Sequence, residues 1–268
     1  MSPVARVRRE AHDEARRADG TVLVIPGLNG HPGMLMRAAP LLFPNFRALG
    51  FNHHADTAEG GVEGLASRAL AFLDEQDQPA DQVLVCGESF GGTVALTLAQ
   101  LQPERVAGLI LFSAFGWHPS VLARRGAGAL ALWSFLGGRI GSGAYRAGRL
   151  ASLPTQLGWR FSNELFQSYL SRPRAQLVAY RTKAELSLTF DARPWLGTLE
   201  CPAFVLIGTR DPVVPASAGR ELASCIPRAS LHSLRGGHLV HLVHPRLVGD
   251  LITAWASDLH YPSSGRLP

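Results

Sequence analysis

The sequence predicts an α/β protein with a mainly parallel, doubly wound sheet and an inserted helical segment. Short apolar runs rich in Val, Leu and Ile alternate along the chain with segments whose apolar residues recur at helical spacing. Such alternation is typical of a parallel sheet with helices on both faces, because each parallel pair needs a crossover connection. The alternation stops once, at 117–190, where no strand-like run occurs. This segment is predicted to be an insertion between two core strands.

The elements before the insertion follow from their apolar patterns and their boundaries. In the helix predicted at 62–75, Leu65 and Ala69 lie on one face. Pro103 ends the helix predicted at 91–101, since proline cannot continue a helix. The predicted strands are 22–25, 47–51, 83–86 and 106–112, and the predicted helices are 34–42, 62–75 and 91–101.

After the insertion the same alternation resumes. Strands are predicted at 203–207 and 230–234, and helices at 216–225 and 245–256. Within the insertion, helices are predicted at 121–133, 163–170 and 175–186, with Gly- and Pro-rich joints. The predicted organisation is therefore a core in two parts, 1–116 and 191–268, with a helical cap at 117–190.

One predicted strand leads into a motif that carries chemistry. The apolar run 83–86 continues into Gly87-Glu88-Ser89-Phe90-Gly91, a G-x-S-x-G sequence that opens directly into a helix. A serine on so sharp a strand-to-helix turn has a strained backbone and an accessible hydroxyl, and the glycines let strand and helix approach closely. In a chain with 28 glycines the pentapeptide alone is a weak signal. The alternative is a glycine-rich turn before a packed helix.

An aspartate and a histidine follow two later strands in the same way. Asp211 lies in the loop after the strand predicted at 203–207, and His238 lies in the loop after the one at 230–234. Three such residues in the order Ser, Asp, His, each past the end of its own strand, predict a catalytic triad of Ser89, Asp211 and His238. If Asp211 is not the acid, Asp191 is the alternative carboxylate.

On these residues the chain resembles the α/β-hydrolase family. The resemblance extends from about residue 21 to about residue 257 and is carried by 25–30, the turn at Ser89, the loop 208–215 and Gly236-Gly237-His238. Pro26-Gly27 stands where many relatives carry His-Gly, which is a departure from the family pattern. The family's first two strands would fall within 4–18, a strongly polar stretch, so we expect them to be shortened or replaced.

The resemblance implies the roles of the triad. Ser89 would be the nucleophile, His238 the general base that takes its proton, and Asp211 the carboxylate that orients the imidazole. Because the nucleophile is serine, the resemblance favours acyl chemistry through an acyl-enzyme, with hydrolysis of a carboxylic ester first. Thioester, lactone and carbon–carbon bond hydrolysis and acyl transfer are variants on the same triad. A hydrolase fold retained as a binding or signalling module is the alternative outside enzymes.

The resemblance also implies an oxyanion hole. Its donors would be the backbone N–H groups of Leu28 and Phe90, on the loop after the first strand and directly after the nucleophile. Asn29 would contact the substrate, or lend a side-chain amide in place of one donor. The alternative for Gly27 and Gly30 is a plain tight turn, which is compatible with an oxyanion loop.

Other polar residues receive weaker assignments. His238, His241 and His244 recur at intervals of three, but Pro245 follows them and no H-E-x-x-H arrangement is present, so no metal and no cofactor are expected. His53 and His54, after the strand predicted at 47–51, are predicted either to line the pocket or to belong to a polar loop with Asp56 nearby.

Composition sets the class and the expected surroundings. The 268 residues are 46% hydrophobic and 18% charged, which is ordinary for one globular enzyme-sized unit. Cys86, Cys201 and Cys225 form no spaced framework, so a disulfide scaffold is not expected. The first twenty residues lack the apolar stretch of a secretory signal, and the weakly polar run 126–138 is too short to cross a bilayer. A cytoplasmic protein without stable membrane insertion is expected.

The positive charge of the chain is concentrated in the predicted cap. Nine arginines and Lys183 face only Glu164 and Glu185 in 117–190, a net charge of +8, whereas the whole chain carries +5. This concentration of charge is predicted either to be a solvated, arginine-rich surface or to attract an anionic substrate, an acyl carrier or a membrane surface. Nucleic acid is not expected, because no binding motif accompanies the charge. The expected partner is a small-molecule acyl ester, with an anionic or carrier-bound form left open, as is the oligomeric state.

Overall fold

A computed structural model describes residues 20–76, 82–118, 174–211 and 213–259. Within these residues the sheet has six strands, all parallel, in the order β2-β1-β3-β4-β5-β6. They are β1 (Thr21–Ile25), β2 (Arg47–Gly50), β3 (Val83–Glu88), β4 (Val106–Phe112), β5 (Ala203–Gly208) and β6 (Ala229–Leu234). The predicted parallel α/β sheet is confirmed.

Helices connect the strands. They are α1 (Gly33–Leu42), α2 (Gly61–Asp74), α3 (Phe90–Leu101), α4 (Arg174–Thr189), α5 (Ala216–Cys225), α6 (Val240–Val243) and α7 (Pro245–Ser257), with 3-10 turns at Pro103–Arg105 and Leu196–Thr198. The short helix α6 is a difference from the sequence prediction, because four residues are too few to show helical periodicity.

Successive residues of the central strands point to two separate cores. On one face Leu23 and Val85 pack with residues of α2, α3 and α5, and on the other face Val24 and Cys86 pack with residues of α1, α6 and α7. Side chains alternate across a strand, so a strand buried on both faces reads as a continuous apolar run. The doubly wound prediction is therefore confirmed. Cys86, Cys201 and Cys225 are free thiols.

The ends of the predicted insertion meet at one point. Trp117 forms an isolated antiparallel bridge with Asp191, and the N–H of Ala192 donates to the carbonyl of Gly116 at 2.8 Å. The helix predicted at 175–186 is confirmed as α4. The predicted helices at 121–133 and 163–170 lie outside the described residues, as does the stretch 4–18, so the cap boundaries 117–190 stay a prediction.

Across the described ranges, no helix has the length and apolar character needed to span a bilayer.

The close approach of α3 to β1 predicts a large effect from one methyl group. A Cβ at Gly91 would overlap the backbone carbonyl of Ile25, which cannot move without disturbing the sheet, whereas a Cβ at Gly197 would meet nothing nearer than 4.0 Å. Overpacking of this kind costs about 1–3 kcal/mol. We expect Gly91→Ala to lower the free energy of unfolding by about that amount, measured by urea denaturation. Gly197→Ala is the matched control, and equal effects of the two changes would contradict the close approach.

Candidate active site

Ser89 occupies a strained turn between β3 and α3. Its φ is 54° and its ψ is −119°, a region that costs a residue other than glycine about 1–3 kcal/mol. The N–H of Ser89 donates to the carbonyl of Phe112 at 2.9 Å, which ties the turn to the end of β4. A Cβ at Gly87 would lie 2.6 Å from the carbonyl oxygen of Gly91, so strand and helix touch through their backbones. The structure thus forms the sharp strand-to-helix turn that the sequence predicts.

Asp211 and His238 are joined by a hydrogen bond. The Nδ1 of His238 lies 2.7 Å from the Oδ2 of Asp211, and both side chains are buried, at 8% and 1% exposure. The other carboxylate oxygen accepts from the N–H groups of Val213 at 2.7 Å and Val214 at 2.9 Å. Since a carboxylate only accepts, Nδ1 carries the proton and the Nε2 of the neutral imidazole is left as a base.

Ser113 supports the histidine loop, and sequence reasoning missed it. Its hydroxyl donates to the carbonyl of His238 at 2.7 Å, and its N–H donates to the carbonyl of Leu206 at 2.9 Å. The residue is 2% exposed and has a φ of 47°. The available signal was its position, because Ser113 directly follows β4 as Ser89 directly follows β3.

The loop after β1 lies against the turn at Ser89. A Cβ at Gly27 would sit 3.4 Å from the Cβ of Ser89, so Leu28 begins next to the serine. The N–H of Gly30 donates to the carbonyl of Gly27 at 2.9 Å, and Gly30 has a φ of 69° that glycine adopts without strain. The side-chain oxygen of Asn29 accepts from the N–H of His31 at 3.0 Å. Asn29 therefore helps to form a turn, and its predicted substrate contact stays a prediction.

His53 and Lys183 form a buried polar pair beside this loop. The Nε2 of His53 is 3.1 Å from the carbonyl oxygen of Pro26, and the ammonium of Lys183 is 2.7 Å from the carbonyl oxygen of His53 and 3.3 Å from its Nδ1. The exposed fractions are 1% for His53 and 0% for Lys183. His53 thus lies buried in the loop after β2, where the N–H of Asp56 donates to its carbonyl at 3.1 Å, and Lys183 does not contribute to the surface charge of the predicted cap.

Glu88 and His241 form a second buried pair behind the turn. The Oε2 of Glu88 is 3.7 Å from the Nε2 of His241, whose ring stacks on Phe112 with 4.5 Å between centroids. No hydrogen bond to either ring nitrogen of His241 is formed within the described residues. In the same residues no three His, Cys, Asp or Glu side chains are grouped as a metal ion requires.

Asp191, the alternative carboxylate, is engaged elsewhere. Its side chain forms an ion pair with Arg193 and is 36% exposed. Its backbone bridges to Trp117 at the start of the predicted cap. The carboxylate bonded to His238 is that of Asp211.

A family model for the alpha/beta hydrolase fold matches residues 20–245. The match spans most of the chain and includes the six-stranded parallel sheet, the turn at Ser89 and the loops of Asp211 and His238. The chain belongs to the α/β-hydrolase family.

Known relatives include hydrolases of several kinds. A poly(3-hydroxyalkanoate) depolymerase from Ectopseudomonas oleovorans is 30% identical over 72% of this chain and 65% of its own length. A pimeloyl-[acyl-carrier protein] methyl ester esterase from Chromobacterium violaceum is 30% identical over 89% of this chain and 93% of its own. A thermophilic esterase from Thermogutta terrifontis superposes with a TM-score of 0.72 over 91% of each chain at 20% identity, which shows a shared fold.

The buried state of His53 predicts a pH-dependent stability. Burial, followed by the ammonium of Lys183, lowers the pKa of His53 from 6.5 to about 4, and the hydrogen bond to Pro26 and the charge of Asp56 oppose the shift. Between these values the unfolded chain binds a proton that the folded chain does not, so the free energy of unfolding falls as the pH is lowered from about 7 to about 4. The contribution of this group is about 3 kcal/mol over that window.

The measurement is urea unfolding of the wild type and His53→Gln across that pH range. We expect the gap in stability between the two proteins to shrink as the pH falls, because only the wild type carries this titration. His54→Gln controls for the loss of one histidine at the next position. A gap that stays constant with pH would contradict the assigned pKa.

Proposed function

We propose that the protein is a serine hydrolase that cleaves carboxylic esters through an acyl-enzyme on Ser89. The observation that carries the proposal is the 2.7 Å hydrogen bond between Asp211 and His238, which leaves a basic Nε2 at the same sheet edge as the strained serine. A serine hydroxyl is a weak nucleophile until a base takes its proton, and a histidine held by a buried carboxylate is that base in serine hydrolases.

The backbone supports a common location for serine and histidine. Ser89 is hydrogen-bonded through its N–H to Phe112, and His238 through its carbonyl to Ser113. Phe112 and Ser113 are consecutive, so one strand end anchors both segments. This shared anchor supports the proposal that the hydroxyl of Ser89 and the imidazole of His238 act together.

The proposed reaction has two halves. The Oγ of Ser89 attacks the ester carbonyl while the Nε2 of His238 takes the hydroxyl proton, and the tetrahedral oxyanion accepts hydrogen bonds from the N–H groups of Leu28 and Phe90. The intermediate collapses to the acyl-enzyme, and His238 returns the proton to the departing alcohol. A water molecule, activated by His238, then attacks the acyl-enzyme, and the carboxylic acid leaves as Ser89 regains its proton. Asp211 holds the imidazole in its tautomer and stabilises the imidazolium.

The substrate class is supported by relatives and by charge. One relative of 30% identity is named as an esterase of a methyl ester on an acyl-carrier protein. The arginine-rich segment 117–190 supports an anionic or carrier-bound acyl group as a second element of the proposal. A cytoplasmic location is also proposed, supported by the three free thiols.

Covalent labelling tests the nucleophile. We expect a fluorophosphonate probe to label the wild-type protein at one site and to leave Ser89→Ala unlabelled, because only an activated serine reacts with it. Mass spectrometry of the labelled peptide locates the adduct. Ser224→Ala, at an exposed serine of α5, is the control and should label like the wild type.

Labelling that persists in Ser89→Ala would overturn the assignment, and a wild-type protein that does not label would favour a binding module. Turnover of p-nitrophenyl esters with two to sixteen carbons, beside the matching acyl thioesters, then separates an esterase from a thioesterase. If ester turnover is negligible next to thioester turnover, a thioesterase would replace the esterase as the proposed function.

The choice of carboxylate is tested by a matched pair of substitutions. Asp211→Asn removes the negative charge that stabilises the imidazolium and favours the wrong tautomer, so we expect kcat to fall about a thousandfold or more. Asp191→Asn changes a carboxylate that is paired with Arg193, and kcat should stay close to that of the wild type. Steady-state ester hydrolysis gives both values, and the reverse pattern would make Asp191 the acid.

A further inference from the structure

His53 contacts the loop after β1 through both its backbone and its ring. Its N–H donates to the carbonyl of Gly30 at 2.8 Å, and its Nε2 lies 3.1 Å from the carbonyl oxygen of Pro26. Pro26 and Gly30 are the two ends of the segment that contains Leu28. His53 therefore clamps this loop at both ends.

The same ring also contacts the other donor segment. The rings of His53 and Phe90 lie 6.3 Å apart between centroids, and Phe51 stacks on the imidazole at 5.7 Å. Phe90 is fully buried. One buried imidazole thus packs against the residue after Ser89 and hydrogen-bonds to the loop of Leu28.

The tautomer of His53 follows from its neighbours. A carbonyl oxygen only accepts, so the Nε2 that faces Pro26 must carry a proton. The ammonium of Lys183 only donates, so the Nδ1 that faces it must present its lone pair. A second proton on the ring would point at the ammonium. The neutral ring with the proton on Nε2 satisfies both neighbours, and the lowered pKa of His53 agrees with it.

Lys183 supplies this constraint from a different part of the chain. It lies on α4, the helix that ends the predicted cap, 130 positions from His53. Its ammonium also donates to the carbonyl of His53 at 2.7 Å, so it holds both the ring and the backbone of that residue. A charged donor makes a shorter and stronger hydrogen bond than a neutral one.

We propose that His53 and Lys183 are positioning residues that align the two backbone N–H donors at Leu28 and Phe90, with Lys183 fixing the imidazole in the tautomer that bonds to Pro26. The inference rests on the proposed function, in which those two donors bind the oxyanion. Its consequence is that the last helix of the predicted cap acts on transition-state binding without touching the substrate.

The test uses paired substitutions and a transition-state mimic. His53→Leu and Lys183→Met remove the hydrogen bonds, and we expect kcat for a p-nitrophenyl ester to fall about ten- to a hundredfold with little change in KM, because misaligned donors weaken only the transition state. The inhibition constant of a trifluoromethyl ketone, whose adduct carries the oxyanion, should rise by the same factor. His53→Gln keeps an N–H in reach of Pro26 and should recover most of the lost kcat.

The rates are expressed per serine labelled at completion by a fluorophosphonate, so that misfolded protein is not counted. Arg220→Met removes an exposed cation from α5, outside the segment 117–190, and should leave kcat and the inhibition constant unchanged. Nitrogen-15 NMR of the wild-type protein, which needs no active variant, should show His53 neutral with the proton on Nε2 at pH 7.

Three outcomes would overturn the inference. In the first, the wild type labels and hydrolyses esters, but the kcat of Lys183→Met stays within about twofold of the wild-type value, a smaller loss than misaligned donors should cause. The proposed function would then stand without the positioning role. Another is a His53 that carries its proton on Nδ1 or on both nitrogens at pH 7. The third is a wild-type protein that neither labels nor hydrolyses esters, which would overturn the proposed function and the positioning role with it.

Discussion

The backbone contact between the end of β3, the start of α3 and the end of β1 is the constraint on which the site depends. At Gly87 and Gly91 there is no room for a side chain, because backbone atoms of the neighbouring element fill that space. This contact forces the chain to turn within one residue, and that residue is Ser89. The strained φ of Ser89 is therefore a consequence of packing, and the hydrogen bond to Phe112 holds it in place.

The carboxyl end of β4 connects the remaining parts of the site. Phe112 accepts a hydrogen bond from Ser89 and stacks on His241, and Ser113 bonds to the loop of His238. In a parallel sheet the carboxyl ends of all strands lie at one edge, so loops far apart in sequence become neighbours there. The position of β4 between β3 and β5 makes its last residues a shared support for the serine and for the histidine.

Much of this arrangement could be predicted from the sequence, because its signals are local. The strand Val106–Phe112 and the helix Ala216–Cys225 were predicted to the residue, since each is an apolar pattern that directly follows a Pro-containing segment. Asp211 and His238 were found by their places after two strands, and the structure brings them within 2.7 Å of each other. The turn at Ser89 was recognisable because glycines on both sides of a serine after a strand indicate a sharp turn at which strand and helix approach closely.

The parts that were missed depend on contacts distant in sequence. Lys183 was counted with the surface charge of the predicted cap, because a lysine on a helix is almost always exposed. Its burial against His53 depends on how α4 packs against α3 and the loop after β2, which no local pattern encodes. Ser113 has no motif around it, and its role follows only from the position of the carbonyl that it binds.

The bridge between Trp117 and Asp191 allows the length of the chain between them to change in evolution independently of the core. The bridge holds residues 117 and 191 side by side, and α4, which precedes Asp191 in the sequence, contacts His53 through Lys183. Because these two positions are already paired, the number of residues between 118 and α4 can change at little cost in loop-closure entropy. Insertions and deletions in that stretch are therefore compatible with this core, provided that a cation remains where Lys183 meets His53.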